Sequence, residues 1–222
     1  MIVIIGASGG VGKFLYEELK NNYLNVIGTC YKNTSNSELV QMDITKINEV
    51  EFFFKSLPDT KDFILINCSG KTYNSFAHKS NLVDWADVIN TNLIGTFNCI
   101  RFALTIMRNN NSGCIINFGS VAAKRPTPGI SAYAASKAAL WGLSNSISKE
   151  NASLNISINT INLGYSELGM IKEVPKAFLD NLINEIPRKA LCGKNDILET
   201  VNYLIKCRYL TGSEIDLSGG LI

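Results

Sequence analysis

The chain has 222 residues, 46% of them hydrophobic and 18% charged, which is enough for one sizeable core and short for two domains. Its 21 Lys and Arg against 19 Asp and Glu leave a net charge of +2, so no global field argues for nucleic acid or an anionic membrane. A mean hydropathy of +0.10, with no apolar run near the roughly 20 residues a bilayer requires, speaks against a spanning helix.

The first predicted strand, residues 2–6, follows Met1 at once, without the basic start and longer apolar stretch of a secretion signal. A cytoplasmic location is the expectation. The strand runs into Gly6-Ala7-Ser8-Gly9-Gly10-Val11-Gly12, and a helix is predicted over 10–22. Glycines in this place permit a tight turn and let a phosphate approach the backbone N–H groups of a helix N-terminus. The position after strand one and before a helix is what raises a plain glycine cluster to a nucleotide-binding reading. A second strand, 25–30, ends in Tyr31 and Lys32, and a third, 38–42, is followed by Asp43 and Ile44. A helix over 46–56 and a strand over 62–67 come next, the strand closing on Asn67-Cys68-Ser69-Gly70. One long helix is predicted over 81–109 and carries Asn92.

The strand predicted at 113–118 leads to Ser120, and the helix predicted at 132–150 opens with Tyr133-Ala134-Ala135-Ser136-Lys137. Positions i and i+4 share a helix face, so the Tyr133 phenol and the Lys137 ammonium can point into one pocket. The spacing alone proves little, since Tyr16 and Lys20 repeat it on the first helix, where a solvated face is expected. A strand over 156–162, helices over 173–186 and 195–207, and a strand over 214–217 complete the chain. Most of the strands are continuous apolar runs, as expected when both faces are covered. The alternating order implies a parallel sheet with right-handed crossovers. The expected architecture is α/β: a single doubly wound Rossmann domain over 1–222 with a seven-stranded parallel sheet flanked by helices. The six cysteines form no CxxC pair and read as reduced core residues. His78 is the only histidine, which leaves no multi-His zinc site, and no metal is expected.

The glycine spacing GxxxGxG, the Asn67–Gly70 turn after strand four, Ser120 thirteen residues before a YxxxK pair, and Asn92 in "VINTNLIGTF" together resemble the short-chain dehydrogenase/reductase family. The resemblance runs from Ile2 to Gly220, and its nearest look is to the ketoacyl-carrier-protein reductases. It implies a catalytic tetrad of Asn92, Ser120, Tyr133 and Lys137. It also implies a dinucleotide held by Gly6, Ser8, Gly9, Gly10, Val11, Gly12, Tyr31, Lys32, Asp43, Ile44, Asn67, Ser69, Gly70, Tyr133, Lys137 and Gly164. Asp43 would meet the adenine amino group, and Asn92 would hold a water linking Lys137 to solvent. Tyr133 would be the general acid in reduction and the base in oxidation, with Lys137 and the oxidised nicotinamide lowering its pKa from near ~10.

No acid ends strand two, where an NAD enzyme usually carries one for the ribose hydroxyl, and Lys32 can pair with a 2′-phosphate. NADP(H) is the expected cofactor, with NAD possible. The chain departs from the family at Leu163, in place of Pro, and at Leu168, in place of Thr, with Ser166 a candidate substitute for the lost hydroxyl. A short substrate loop is expected over about 165–190, with Lys172, Lys176, Arg188 and Lys189 as its basic groups. Leu154 stands where many ketoacyl reductases carry an Arg, which weakens carrier-protein docking. The expected activity is NADP(H)-dependent reduction of a keto group on a small carbonyl substrate. The alternatives are an NAD-dependent alcohol or sugar dehydrogenase, or a dinucleotide-binding protein with weak catalysis. By resemblance the chain forms a homodimer or homotetramer through its long central helices, in which Phe97, Phe102 and Trp141 lie. No nucleic acid and no membrane partner is expected.

Overall fold

The structure is a computed structural model and describes residues 1–32, 37–169, 171 and 176–222. Seven strands, β1 (Ile2–Ile5), β2 (Val26–Cys30), β3 (Val40–Gln41), β4 (Phe63–Asn67), β5 (Gly113–Ser120), β6 (Ile156–Leu163) and β7 (Glu214–Leu217), form one sheet. Its order is β3-β2-β1-β4-β5-β6-β7, and every pairing is parallel. The helices are α1 (Gly10–Asn22), α2 (Ile47–Ser56), α3 (Leu82–Ile89), α4 (Thr96–Asn110), α5 (Ser131–Asn151), α6 (Lys176–Glu185) and α7 (Lys194–Lys206).

Alternation along the strands divides the core in two. Ile2, Ile4, Ile64, Ile66 and Ile116 face Leu15 and Leu19 of α1 and Val201 and Leu204 of α7. Val3, Ile5, Phe63, Leu65 and Ile115 face Phe53 and Phe54 of α2, Ile100 and Met107 of α4, and Ile147 of α5. Strands covered on both sides must be apolar at consecutive positions, which is why these runs lack alternation in the sequence. Phe102 stacks on Phe54 with ring centroids 6.5 Å apart, whereas Phe97 and Trp141 stand exposed on α4 and α5.

One row of the core is polar. Asn67, Asn117 and Thr160 lie side by side on β4, β5 and β6. Asn67 Nδ2 donates to Asn117 Oδ1 at 2.7 Å, Asn117 Nδ2 donates to Ser144 Oγ on α5 at 3.0 Å, and Ser144 and Thr160 share a hydrogen bond at 3.0 Å.

Three expectations change. The helix predicted over 81–109 is two helices separated by a π-helical turn, Asn90–Gly95. The widened turn lets the Asn92 amide reach the backbone of Lys71, and Gly95 sits where a Cβ would press on Ile44, 2.6 Å from its side chain. The third strand is two residues long and exposed on the sheet edge, as suits an edge strand. Tyr16 is not on a solvated face: it is buried in the core, its hydroxyl donates to Glu38 at 3.3 Å, and Lys20 lies 5.1 Å from its ring centre. Among the described residues, no helix is long and apolar enough to cross a membrane.

Candidate active site

The sheet order reverses between β1 and β4, so the chain leaves these neighbouring strands in opposite directions and opens a crevice at their carboxyl ends. A cleft of about 1640 Å³ occupies that place, running from Tyr31 and Lys32 past Gly6 and Ser8–Val11 to Ser120 and Tyr133.

The phosphate end is built on backbone. Gly6 has φ +82°, and a Cβ there would come within 2.9 Å of Ser69 Oγ, so the turns after β1 and β4 touch and only glycine serves. The N-terminus of α1 has Gly9 as its cap, without a side-chain cap or an acid in its first turn. Its N–H groups are therefore left for an anion, which the helix dipole also favours. Among the described residues, no atom beyond its two chain neighbours lies within 4 Å of a Cβ built on Gly9. This uncapped, glycine-lined turn fits a pyrophosphate. Gly12 is outside the cleft lining; it backs onto the Gly6 carbonyl, where a Cβ would collide.

At the far end, Asp43 accepts from the Thr45 N–H at 2.9 Å and the Thr45 hydroxyl at 2.7 Å. Ile44 is held by Asn98 Nδ2, which donates to its carbonyl at 3.0 Å. Tyr31 and Lys32 are exposed and line the cleft. Sequence reasoning passed over Lys71 and Asp87, which form an ion pair across this wall. Their signal was Lys71 directly after the Asn67–Gly70 turn, a charge where the cleft begins.

Ser120 ends β5, and its Oγ accepts from the Ala122 N–H at 3.1 Å. Tyr133 lies in the first turn of α5. Burial raises its phenol pKa, and a hydrogen bond with Ser120 opposes the rise. Lys137 is 5% exposed, its Nζ donates to the Phe118 carbonyl at 2.7 Å, and it sits 5.8 Å from the Tyr133 ring centre. Burial lowers the Lys137 pKa to about 8, with the Cys68 thiol pulling upward. Cys68 also lines the cleft; burial pushes its pKa up to about 12 against the pull of Lys137.

Asn92 is fully buried behind the cleft. Its Oδ1 accepts from the Lys71 N–H at 2.8 Å, and its Nδ2 donates to the Lys71 carbonyl at 2.9 Å and to Ser136 Oγ at 3.0 Å. Both amide protons are thereby used, and the side chain has no donor left for a water. Ser136 in turn donates to the Tyr133 carbonyl at 2.8 Å, which ties the π-helical turn to the helix bearing Tyr133 and Lys137. Its signal lay inside the Tyr-x-x-Ser-Lys run. Asn67 turns away from the cleft into the polar row, whereas Ser69 and Gly70 line it. A Cβ on Gly70 would stand 3.6 Å from Lys137 Nζ.

After β6, the Gly164 N–H donates to the Leu217 carbonyl at 3.0 Å, and Leu163 and Leu168 line the cleft. Ser166 is buried, with its hydroxyl donating to the Leu168 carbonyl at 3.1 Å. Gly169, at φ +79°, lies against Gly10, whose Cβ would be 3.4 Å from its Cα. Within the expected substrate loop, Lys172 and the side chain of Lys176 lie outside the described residues.

The protein-family model described as short chain dehydrogenase matches residues 1–177. The chain is 30% identical to the 3-oxoacyl-acyl-carrier-protein reductase FabG of Staphylococcus epidermidis over 237 aligned positions, covering 99% of this chain and 97% of that protein. To the reductase of the same name from Vibrio cholerae it is 28% identical, covering 99% and 96%. The ligand-free aldohexose dehydrogenase of Thermoplasma acidophilum superposes with a TM-score of 0.89 at 22% identity, covering 99% of this chain and 92% of that one.

Proposed function

The chain belongs to the short-chain dehydrogenase family of oxidoreductases, and from that premise we propose that it reduces a ketone to an alcohol with NADPH. The observation that carries this reading is one cleft holding an uncapped helix N-terminus at one end and Ser120, Tyr133 and Lys137 at the other. A reduced nicotinamide, when bound, supplies the hydride to the carbonyl carbon and leaves oxidised. The chain supplies everything else. Gly6 and Ser8–Val11 take the pyrophosphate on backbone N–H groups. Lys32 meets the 2′-phosphate as a point charge; the first acid after β2, Glu38, is engaged with Tyr16 and Lys20 instead.

Ser120 offers its hydroxyl proton to the substrate oxygen, since the lone pair facing Ala122 is already used. As charge builds on that oxygen, Tyr133 gives up its phenolic proton. A phenol kept neutral by burial holds its proton at neutral pH, the state a reductase requires. Lys137, close to its own titration point near neutrality, steadies the phenolate and returns the proton. Asn92 acts at one remove, holding the Lys71 peptide and Ser136. The same reading makes the exposed Phe97 and Trp141 a contact between copies in a homodimer or homotetramer, which light scattering of Trp141→Lys checks.

The test is a titration with NADPH and NADH followed by nicotinamide fluorescence, on wild type and Lys32→Ala, with turnover of a ketone panel on wild type and Tyr133→Phe. At least tenfold tighter NADPH binding (about 1.4 kcal/mol), erased in Lys32→Ala, is expected. Tyr133→Phe should bind the dinucleotide and lose turnover by about 10²–10⁴. Equal or better binding of NADH overturns the cofactor assignment, and full activity in Tyr133→Phe overturns the mechanism.

A further inference from the structure

The cleft lining that follows Phe118 in the chain carries Arg125, Lys137 and Lys194. Lys137 is tied to the Phe118 carbonyl, and the Lys194 N–H donates to Glu167 at 3.4 Å. A negative charge on the substrate would complement this lining.

Arg125 is the cation placed to use it. It lies five residues past Ser120, and its N–H donates to the Val121 carbonyl at 2.8 Å, so the chain folds back immediately after the serine. The neighbouring Lys124 anchors this turn to the end of the sheet, with its Nζ 2.8 Å from both oxygens of Asp216 and 3.2 Å from Glu214. Lys124 is thus committed to two carboxylates, while the root of Arg125 is held still. The Arg125 guanidinium reaches across the cleft mouth to Glu185 at the end of α6, 3.1 Å away, with both side chains about half exposed. Half-exposed pairs of this kind are weak and exchange readily, and the planar fork of arginine matches any carboxylate in the same place.

We propose that Arg125 is a substrate-specificity residue that binds a carboxylate on the substrate, with Glu185 as the counter-ion it exchanges, so that the substrate is a small keto acid. The proposal rests on the ketone-reductase reading above. Reduction consumes one hydride from NADPH and one proton from Tyr133; the carboxylate remains unreacted and holds the carbonyl toward Ser120.

The test compares acetoacetate, levulinate and 5-oxohexanoate with their methyl esters, and with dihydroxyacetone phosphate as a phosphate-bearing ketone, on wild type, Arg125→Ala, Arg125→Lys and Glu185→Gln. For the acid that fits best, kcat/KM is expected to exceed that of its ester at least tenfold. Arg125→Ala should remove that margin through KM with the ester unchanged, Arg125→Lys should restore part of it, and Glu185→Gln should lower KM for the acid. An acid-to-ester ratio near one, equal losses for acid and ester in Arg125→Ala, or preference for the phosphate overturns the assignment while leaving the reductase reading intact. Calorimetric titration of the same acids and esters, free of turnover, separates the two readings. Carboxylate binding lost in Arg125→Ala supports the subsite even if no ketone is reduced, and its absence overturns it.

Discussion

Replacing Lys137 by Met should make the protein more stable and less active at once, and the stability gain should depend on pH. In the fold the Lys137 pKa falls from 10.5 to about 8 because the ammonium is stripped of water. At ~1.4 kcal/mol per pKa step, that burial costs about 3 kcal/mol while the group is charged in both states. Methionine fills a similar volume without a charge, but leaves the Phe118 carbonyl without the donor now 2.7 Å away, a loss of about 1 kcal/mol. The net expectation is a gain of about 2 kcal/mol at pH 7. Between about pH 8 and 10.5 the folded lysine has released its proton while the unfolded one still binds it, so wild-type stability climbs with pH through that window. The advantage of Lys137→Met therefore shrinks across the same window at ~1.4 kcal/mol per pH unit, is gone about 1.5 units above pH 8, and becomes a deficit of about 1 kcal/mol at the upper end, where only the lost hydrogen bond remains. Urea unfolding of both proteins at pH 7, 8, 9 and 10 measures this. A variant less stable than wild type at pH 7, or a difference that does not move with pH, would refute the reasoning.

Ser136→Ala leaves one buried Asn92 N–H without its acceptor and should cost about 1–3 kcal/mol, read as a lower urea midpoint with an unchanged slope. Ser120→Ala should lower kcat by about 10²–10³ with dinucleotide affinity intact, and lose about 1 kcal/mol of stability as the Ala122 N–H loses its cap. Gly12→Ala drives a methyl into the Gly6 carbonyl and should cost about 3 kcal/mol, visible as a collapse of the melting temperature whether or not cofactor is added.

The strands and helices were legible because both faces of the sheet are covered: runs such as Ile2–Ile5 and Phe63–Asn67 cannot be anything but central parallel strands once helices alternate with them. The reacting side chains were legible for a different reason, since Tyr133 and Lys137 are linked by local helix geometry and Ser120 by its place at a strand end. What the sequence withheld was set by tertiary contact. The break at Asn90–Gly95 has no proline or glycine pair to announce it; it exists because Asn92 has to reach Lys71. Asn67 was assigned to the cofactor because its turn lies there, yet alternation points its own side chain into the sheet. The fall expected for the Tyr133 pKa counts on the oxidised nicotinamide as well as on Lys137; in the chain alone, burial raises it. Arg125 and Glu185, sixty residues apart, meet only in the folded chain.

The row formed by Asn67, Asn117, Ser144 and Thr160 bears on how this fold tolerates change. A one-residue slip of β5 would exchange every amide for an apolar neighbour and strand several polar groups at once. The row therefore acts as a vernier: it keeps β4, β5 and β6 level with one another and keeps α5 at one height above them. Errors in that height would show up directly as misalignment between Ser120, on the strand, and Tyr133, on the helix. Purely apolar layers elsewhere can be repacked with like-sized residues at little cost, so drift in the sequence should be absorbed there, while these four positions change together or not at all.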